Sequence, residues 1–296
     1  MSRDPEARLE PQPMASKPKE RKRSVAKPAA KASEQPPVAP PRPSTLAVTI
    51  ATQRSGTKLM GNCLNAGVRA RSFGEIFHES AATMVSWASF LQRVPDLPSE
   101  LALGKSWALL DRYTLELSRL APYVHFDVMY SNLHYLAPLW HTSPRGLPML
   151  DYLQSRSVAI VHLVRDPLDT YLSSVLAEYT STYHVMGDHA SVDPKRYAGE
   201  LKELVDRRPY ARYVSELAQV RSQIREQLRD YPHAVEIDYR DLIGQDGFLQ
   251  PNTRNRLAAL LLNGEDPRWL QILPASIDRT PHPKALREKL LALVGQ

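Results

Sequence analysis

Along most of the chain, short apolar runs alternate with longer stretches in which apolar residues recur every three or four positions. Leu46–Ala51 is apolar except for Thr49 and predicts a buried strand. After a polar turn, Leu59, Met60, Cys63, Leu64 and Gly67 fall at helical spacing. Further strands are predicted at Ser72–Phe77, Val124–Tyr130, Val158–Val164 and Ala234–Tyr239, with helices at Leu168–Tyr179 and Thr253–Leu262. Val158–Val164, within SVAIVHLVRDP, is the sharpest of the strands, because Pro167 ends it. Tyr197–Arg229 reads as a long amphipathic helical region broken near Pro209. Strands alternating with helices imply an α/β fold whose mostly parallel sheet is covered on both faces.

Residues 1–44 depart from this pattern. They hold 10 of the 25 prolines and almost no large apolar residues, so they cannot bury enough surface to offset the entropy of ordering. The expected organisation is a disordered tail over 1–44 and one domain over 45–296. The tail carries 10 Lys and Arg against 5 Asp and Glu, whereas the rest of the chain is nearly neutral. Its stretch 17-KPKERKRSVAKPAAK-31 has the charge to contact an anionic partner such as nucleic acid or a membrane surface; the alternative is a solvated tail that aids solubility. No apolar run reaches the ~18–20 residues of a transmembrane helix, and the N-terminus has no secretory core. Cys63 is the only cysteine, which excludes an intramolecular disulfide and a cysteine-rich metal site. A cytoplasmic protein is expected.

Candidate chemistry begins at 46-LAVTIATQRSGTKLMGNCL-64. A strand that turns into a helix presents free amide N–H groups and the positive end of the helix dipole, the usual cradle for a phosphate. The Walker A pattern does not fit. Ala51 replaces its first Gly, Thr57 stands where Lys should follow Gly56, Lys58 comes one residue late, and Leu59 replaces the Mg²⁺-holding Ser or Thr. What remains is Arg54 beside a loop of Ser55, Gly56 and Thr57, which suits an anionic group met by a charged side chain.

A second anchor is 161-VHLVRDPLDTYLSS-174. Arg165 ends the sharpest strand and Ser173 follows eight residues later on a helix. Ligands of open parallel sheets collect at the C-terminal ends of strands, where Arg and Ser would make a second anion site. The alternative for Arg165 is a loop ion pair with Asp166 or Asp169.

This ordered pair of motifs resembles the sulfotransferases that use 3′-phosphoadenosine-5′-phosphosulfate. The first motif resembles their 5′-phosphosulfate loop, the second their 3′-phosphate motif. The stretch 71-RSFGEIFHES-80 is similar to the bacterial trehalose sulfotransferase-like group, with Glu75 and Phe77 in matching places. Weaker similarity extends to 125-HFDVMYSNL-133 and 236-EIDYRDLI-243. The resemblance implies a three-layer, P-loop-like sulfotransferase fold, with cofactor contacts from Arg54, Ser55, Gly56, Thr57, Lys58, Leu59, Arg165 and Ser173. It also implies a carbohydrate or glycolipid acceptor, a homodimer and no required metal. Two departures stand out: Lys58 where the family usually has Ser or Thr, and Asp127 where it often has Lys.

The implied reaction is in-line transfer of a sulfuryl group to an acceptor hydroxyl. Glu75 is the expected general base and Arg54 the stabiliser of charge on the bridging oxygen. His78, three residues after Glu75, is a backup base or a packing residue. Trp87, Phe90, Trp107, Tyr130, Tyr135 and Trp140 either stack on ligand or pack the core, and Cys63 is expected in the core. Around 278-DRTPHPKALREKL-290 the choice is between a loop with Arg279 over the 3′-phosphate and a solvated basic helix end. Three other readings remain: a kinase with an atypical phosphate loop, a non-catalytic nucleotide-binding member of the family, and an adaptor working through its tail.

Overall fold

A computed structural model of the protein describes residues 46–65, 70–77, 85–102, 104–134, 146–180, 198–244, 249–262 and 284–295. The tail over 1–44, His78, Tyr135, Trp140 and Arg279 lie outside the described residues.

Five strands form one all-parallel sheet: β1 (Leu46–Ala51), β2 (Ala70–Ser72), β3 (Tyr123–Met129), β4 (Ala159–Val164) and β5 (Ala234–Asp238). Their order is β2-β3-β1-β4-β5. Around them lie α1 (Thr57–Asn65), α2 (Trp87–Leu91), α3 (Leu97–Ala102), α4 (Ser106–Ser118), α5 (Pro148–Ser155), α6 (Pro167–Thr180), α7 (Ala198–Arg207), α8 (Tyr210–Leu228), α9 (Pro251–Leu262) and α10 (Lys284–Val294). Pro209 separates α7 from α8, as its missing N–H and fixed φ dictate. No described helix is long and apolar enough to cross a membrane.

The sheet is the middle of three layers. One face carries Val48, Ile50, Phe126, Val128 and Ile160 against Leu109, Leu110, Tyr113 and Leu117 of α4 and Leu150 and Leu153 of α5. The other carries Ala51, Val161, Leu163 and Ile237 against Met60, Cys63 and Leu64 of α1 and Leu257 of α9. The alternation along each strand follows from the two-residue period of a pleated strand. Each fully buried aliphatic side chain contributes about 1.5–3 kcal/mol. A third cluster ties α6, α7, α8 and α10 together through Tyr171, Leu201, Leu217 and Leu290.

One expected strand is displaced. Ser72–Phe77 is not a strand; pairing stops after β2. Phe73 N–H still reaches His125 O (2.8 Å), but Gly74 then turns at φ +66°. Its carbonyl accepts from Ile76 N–H (3.0 Å) and Asp127 N–H (2.8 Å), so Ile76 and Phe77 leave the sheet and enter the core. The other four strands begin and end within a residue of their expected bounds. Helices α2, α3, α4 and α5 lie where no element was expected, and α10 extends beyond the segment read as a basic helix end.

Candidate functional site

From β1 the chain runs outward to β2 and β3 on one side, and β4 and β5 occupy the other. The order therefore reverses between β1 and β4, where loops diverge above the C-terminal ends of neighbouring strands and leave a crevice for ligand. Both sequence anchors emerge there. Thr52–Gly56 follows β1, and Arg165 follows β4.

The first loop has an unusual backbone. Arg54 adopts φ +67° and Gly56 φ +98°. A left-handed non-glycine residue costs about 1–3 kcal/mol, and such strain gathers at ligand-binding turns. Ser55 is fully buried, yet its hydroxyl meets no hydrogen-bond partner among the described residues. The helical ladder starts with Met60 N–H on Gly56 O (3.0 Å). The amides of Thr57, Lys58 and Leu59 therefore have no acceptor within α1, as at any helix start. The side chains divide: Thr57 is buried, Lys58 points to solvent, and Leu59 is buried in the core. Leu59 can meet a ligand only through its backbone N–H.

Gly56 is required by what lies above it. A Cβ there would stand 2.4 Å from Cε2 of Tyr239, in the turn after β5. The Tyr239 ring in turn lies under the Arg165 guanidinium, 4.5 Å from its centroid. Gly56→Ala is expected to cost at least ~2 kcal/mol, from the clash and from the φ that alanine resists. Urea denaturation checks this, and a native midpoint would show that Tyr239 is free to move.

The second anchor is joined to the first. Arg54 donates from Nε to Ser173 Oγ on α6 (3.0 Å), and Arg165 donates from Nη1 to the Arg54 carbonyl (2.9 Å). The loop ion pair considered for Arg165 does not form. Asp166 accepts the N–H groups of Leu168 (2.9 Å) and Asp169 (3.1 Å) at the start of α6, and Asp169 pairs with Arg287 of α10 (2.7 Å). Arg165 Nε meets no acceptor among the described residues.

Helix α8 braces this arrangement. Tyr213 hydrogen-bonds to Thr52 and Thr170. Arg221, mostly buried, donates from Nη2 to the Arg165 carbonyl (2.7 Å), while its Nε has no acceptor among the described residues. Arg221 also reaches Tyr130. The Tyr130 hydroxyl donates to Nε2 of buried His162 (2.8 Å), whose Nδ1–H donates to Glu236 on β5 (2.9 Å). Arg225 grips the same carboxylate with two bonds (2.8 and 2.9 Å). The hydrogen bond from His162, with Arg225 beside it, holds the Glu236 carboxyl down at about 2. Burial pushes the Tyr130 hydroxyl up to about 12 and lowers His162.

Tyr130, His162, Arg221, Glu236 and Tyr239 were not foreseen as one support for Arg165. The polar residues inside β4 and β5 were the available signal, since a buried strand tolerates His or Glu only with a partner.

Glu75 stands after Gly74, at the C-terminal end of β2 and two strands from β1. It is half-buried and acts electrostatically on Asp127 of β3. Asp127 belongs to a buried polar row facing α1. His125 bonds to Thr49 Oγ1 through Nε2 and to Ser72 Oγ through Nδ1, both at 2.8 Å. Gly61 of α1 lies so close that a Cβ there would stand 2.7 Å from Ser72 Oγ. Among the described residues no group of three His, Cys, Asp or Glu is placed to hold a metal ion.

Further candidates among the described residues pack against other side chains. Trp87 and Phe90 stack in the core with centroids 5.3 Å apart, and Trp107 meets Tyr152 edge-on. Cys63 is buried, and burial pushes its thiol up to about 11, far from a nucleophile's range. Compared with protein-family models and with curated proteins, the chain gives no match.

Proposed function

We propose that the protein is a sulfotransferase, moving the sulfuryl group of 3′-phosphoadenosine-5′-phosphosulfate to a hydroxyl of a carbohydrate or glycolipid. The observation that carries this reading is the joining of two distant anchors at the sheet's reversal point, with buried donors there that lack acceptors. Ser55 Oγ, Arg165 Nε and Arg221 Nε are three such donors among the described residues. An unmet buried donor costs about 1–3 kcal/mol, which an acceptor-rich anion would recover. A nucleotide bearing phosphates at two positions supplies acceptors of that kind.

In this reading Ser55, Thr57 and the first amides of α1 hold the 5′-phosphosulfate, and Arg165 with Ser173 holds the 3′-phosphate. Leu59 contributes its N–H alone, and Lys58 adds charge from the solvent side. The nucleotide supplies an activated sulfuryl group. Glu75 accepts the proton of the attacking hydroxyl. Arg54 stabilises the negative charge that develops on the bridging oxygen, a kind of contribution commonly worth ~10²–10³-fold in rate. Its hydrogen bond to Ser173 ties its position to the 3′-phosphate site. A sulfuryl group carries less negative charge than a phosphoryl group, which agrees with apolar Leu59 standing in place of a Mg²⁺ ligand.

The test is thermal unfolding of the full-length protein with 3′-phosphoadenosine-5′-phosphate, beside ATP with Mg²⁺. A ligand confined to the folded state adds ~2.7 kcal/mol at a hundredfold excess over Kd. The bisphosphate is expected to raise Tm, and Arg165→Ala to abolish the rise. A shift with ATP and Mg²⁺ alone would replace this reading with a kinase.

A further inference from the structure

Asp127 is a buried acid on β3, and its surroundings give it a use. Its side chain is 3% exposed. Its N–H donates to the carbonyl of Gly74 (2.8 Å), so the backbone beside Glu75 is fixed to Asp127 itself. Oδ1 has no hydrogen-bond partner among the described residues. The nearest cationic candidate, His125 Nε2, is 3.8 Å away and already bonded to Thr49. Burial keeps His125 neutral by pushing it down to about 3, so the two do not form an ion pair.

Among the described residues, few groups face Asp127. β1 brings Thr49, its register partner, and β3 itself brings His125. The chain leaving β2 brings Glu75, and Ser72 is bonded to neighbouring His125. Among the described residues, Glu75 is the charged group that acts on Asp127.

We propose that Asp127 is a positioning residue for Glu75, a second carboxyl whose charge state sets how tightly Glu75 holds a proton. This rests on the reading of Glu75 as the proton acceptor. With Asp127 protonated, Glu75 is a carboxylate beside a neutral group. When Asp127 ionises, the adjacent negative charge raises the proton affinity of Glu75 and makes it a stronger base. Burial, with the Glu75 charge added, pushes Asp127 up to about 7, so the change falls near neutrality. Asp127 takes no proton from the reaction. The acceptor's O–H proton goes to Glu75, the acceptor oxygen bonds to sulfur, and the sulfur–phosphate oxygen bond breaks. The leaving bisphosphate keeps that electron pair.

The experiment is a carboxyl-carbon NMR titration of full-length protein labelled at aspartate, in native, Asp127→Asn and Glu75→Gln forms. The resonance missing from Asp127→Asn is expected to titrate near neutrality, and to move to lower pH in Glu75→Gln. Transfer rates are then followed from pH 5.5 to 8.5. In the native enzyme kcat rises through a step near neutrality, whereas Asp127→Asn loses that step with KM for the nucleotide unchanged. The expected loss at pH 8 is roughly 3–30-fold, below the ~10²–10⁴-fold of the base itself because Asp127 only tunes it. An Asp127 midpoint in the ordinary carboxylate range overturns the proposal. So does one that Glu75→Gln leaves in place, a measurement independent of whether Asp127→Asn folds. A coupled titration in a protein that transfers no sulfuryl group to any acceptor supports the pair and sinks the sulfotransferase reading.

Discussion

Replacing Glu75 with glutamine is expected to slow the proposed sulfuryl transfer by ~10²–10⁴-fold, the usual contribution of a positioned general base. Binding of 3′-phosphoadenosine-5′-phosphate should be unchanged. The separation follows from the topology. Glu75 stands above β2 at one edge of the sheet, whereas the residues proposed to bind phosphate stand above β1 and β4. Arg54, Ser173 and Arg165 are held by bonds to one another, which the Glu75 substitution does not alter. Arg54→Ala is a contrasting case, because Arg54 reaches Ser173 with its side chain and Arg165 with its carbonyl. Kinetics with a sugar acceptor, alongside nucleotide titrations, check both variants. A Glu75→Gln enzyme that keeps its rate would remove Glu75 from the chemistry and leave the anion site intact.

The strands were legible because each central one is a compact apolar run bounded by a turn. β4 is the clearest, buried along its whole length and ended by Arg165-Asp166-Pro167. β2 was not legible. It is three residues long, pairs on one side only, and contains Arg71. The apolar residues that suggested a strand there, Ile76 and Phe77, serve the core from a turn instead. Helix α4 was missed although Leu109, Leu110, Tyr113 and Leu117 recur at helical spacing. Its interleaved charges and aromatics hid a face that only the sheet makes apparent.

The same division holds at the candidate site. Arg54, Gly56 and Arg165 could be picked out because each lies in a turn that follows a strand, whereas Ser173, midway along α6, was marked only by its spacing from Arg165. Their mutual contacts could not, since Arg54 and Ser173 lie 119 residues apart and strand order decides whether they meet. Nor could a sequence show that Tyr239, after β5, lies over Gly56 of the β1 loop. Side chains facing each other across parallel strands have no spacing rule along the chain. His162 and Glu236 pair across register and meet Tyr130 only through the fold.

Asp127→Asn should make the protein more stable above neutral pH and leave it nearly unchanged in acid. In the folded protein Asp127 titrates at about 7, against 3.8 for an unperturbed aspartate. The folded state therefore holds a proton that the unfolded chain loses between those values, and stability falls as pH rises through that window. The penalty is complete above pH 7 and on the order of 4 kcal/mol. His125, on the same strand, works in the opposite sense. Burial lowers it from 6.5 to about 3, so the unfolded chain gains a proton first and stability falls as pH drops below 6.5. In the native protein the two slopes largely cancel between pH 4 and 6.5. Glu236, lowered from 4.5 to about 2, loses its contribution only as pH falls below 4.5, and does so equally in both proteins. Removing the Asp127 carboxyl leaves the His125 slope uncompensated, so the variant's stability should climb steeply with pH where the native curve is flat. Urea denaturation from pH 4 to 8 measures both curves. Near-equality at pH 4, with a gap that opens to its full size by pH 7, is the expected result. A gap independent of pH would mean that Asp127 is ionised throughout, and that His125 or Glu75 has adjusted to accommodate its charge.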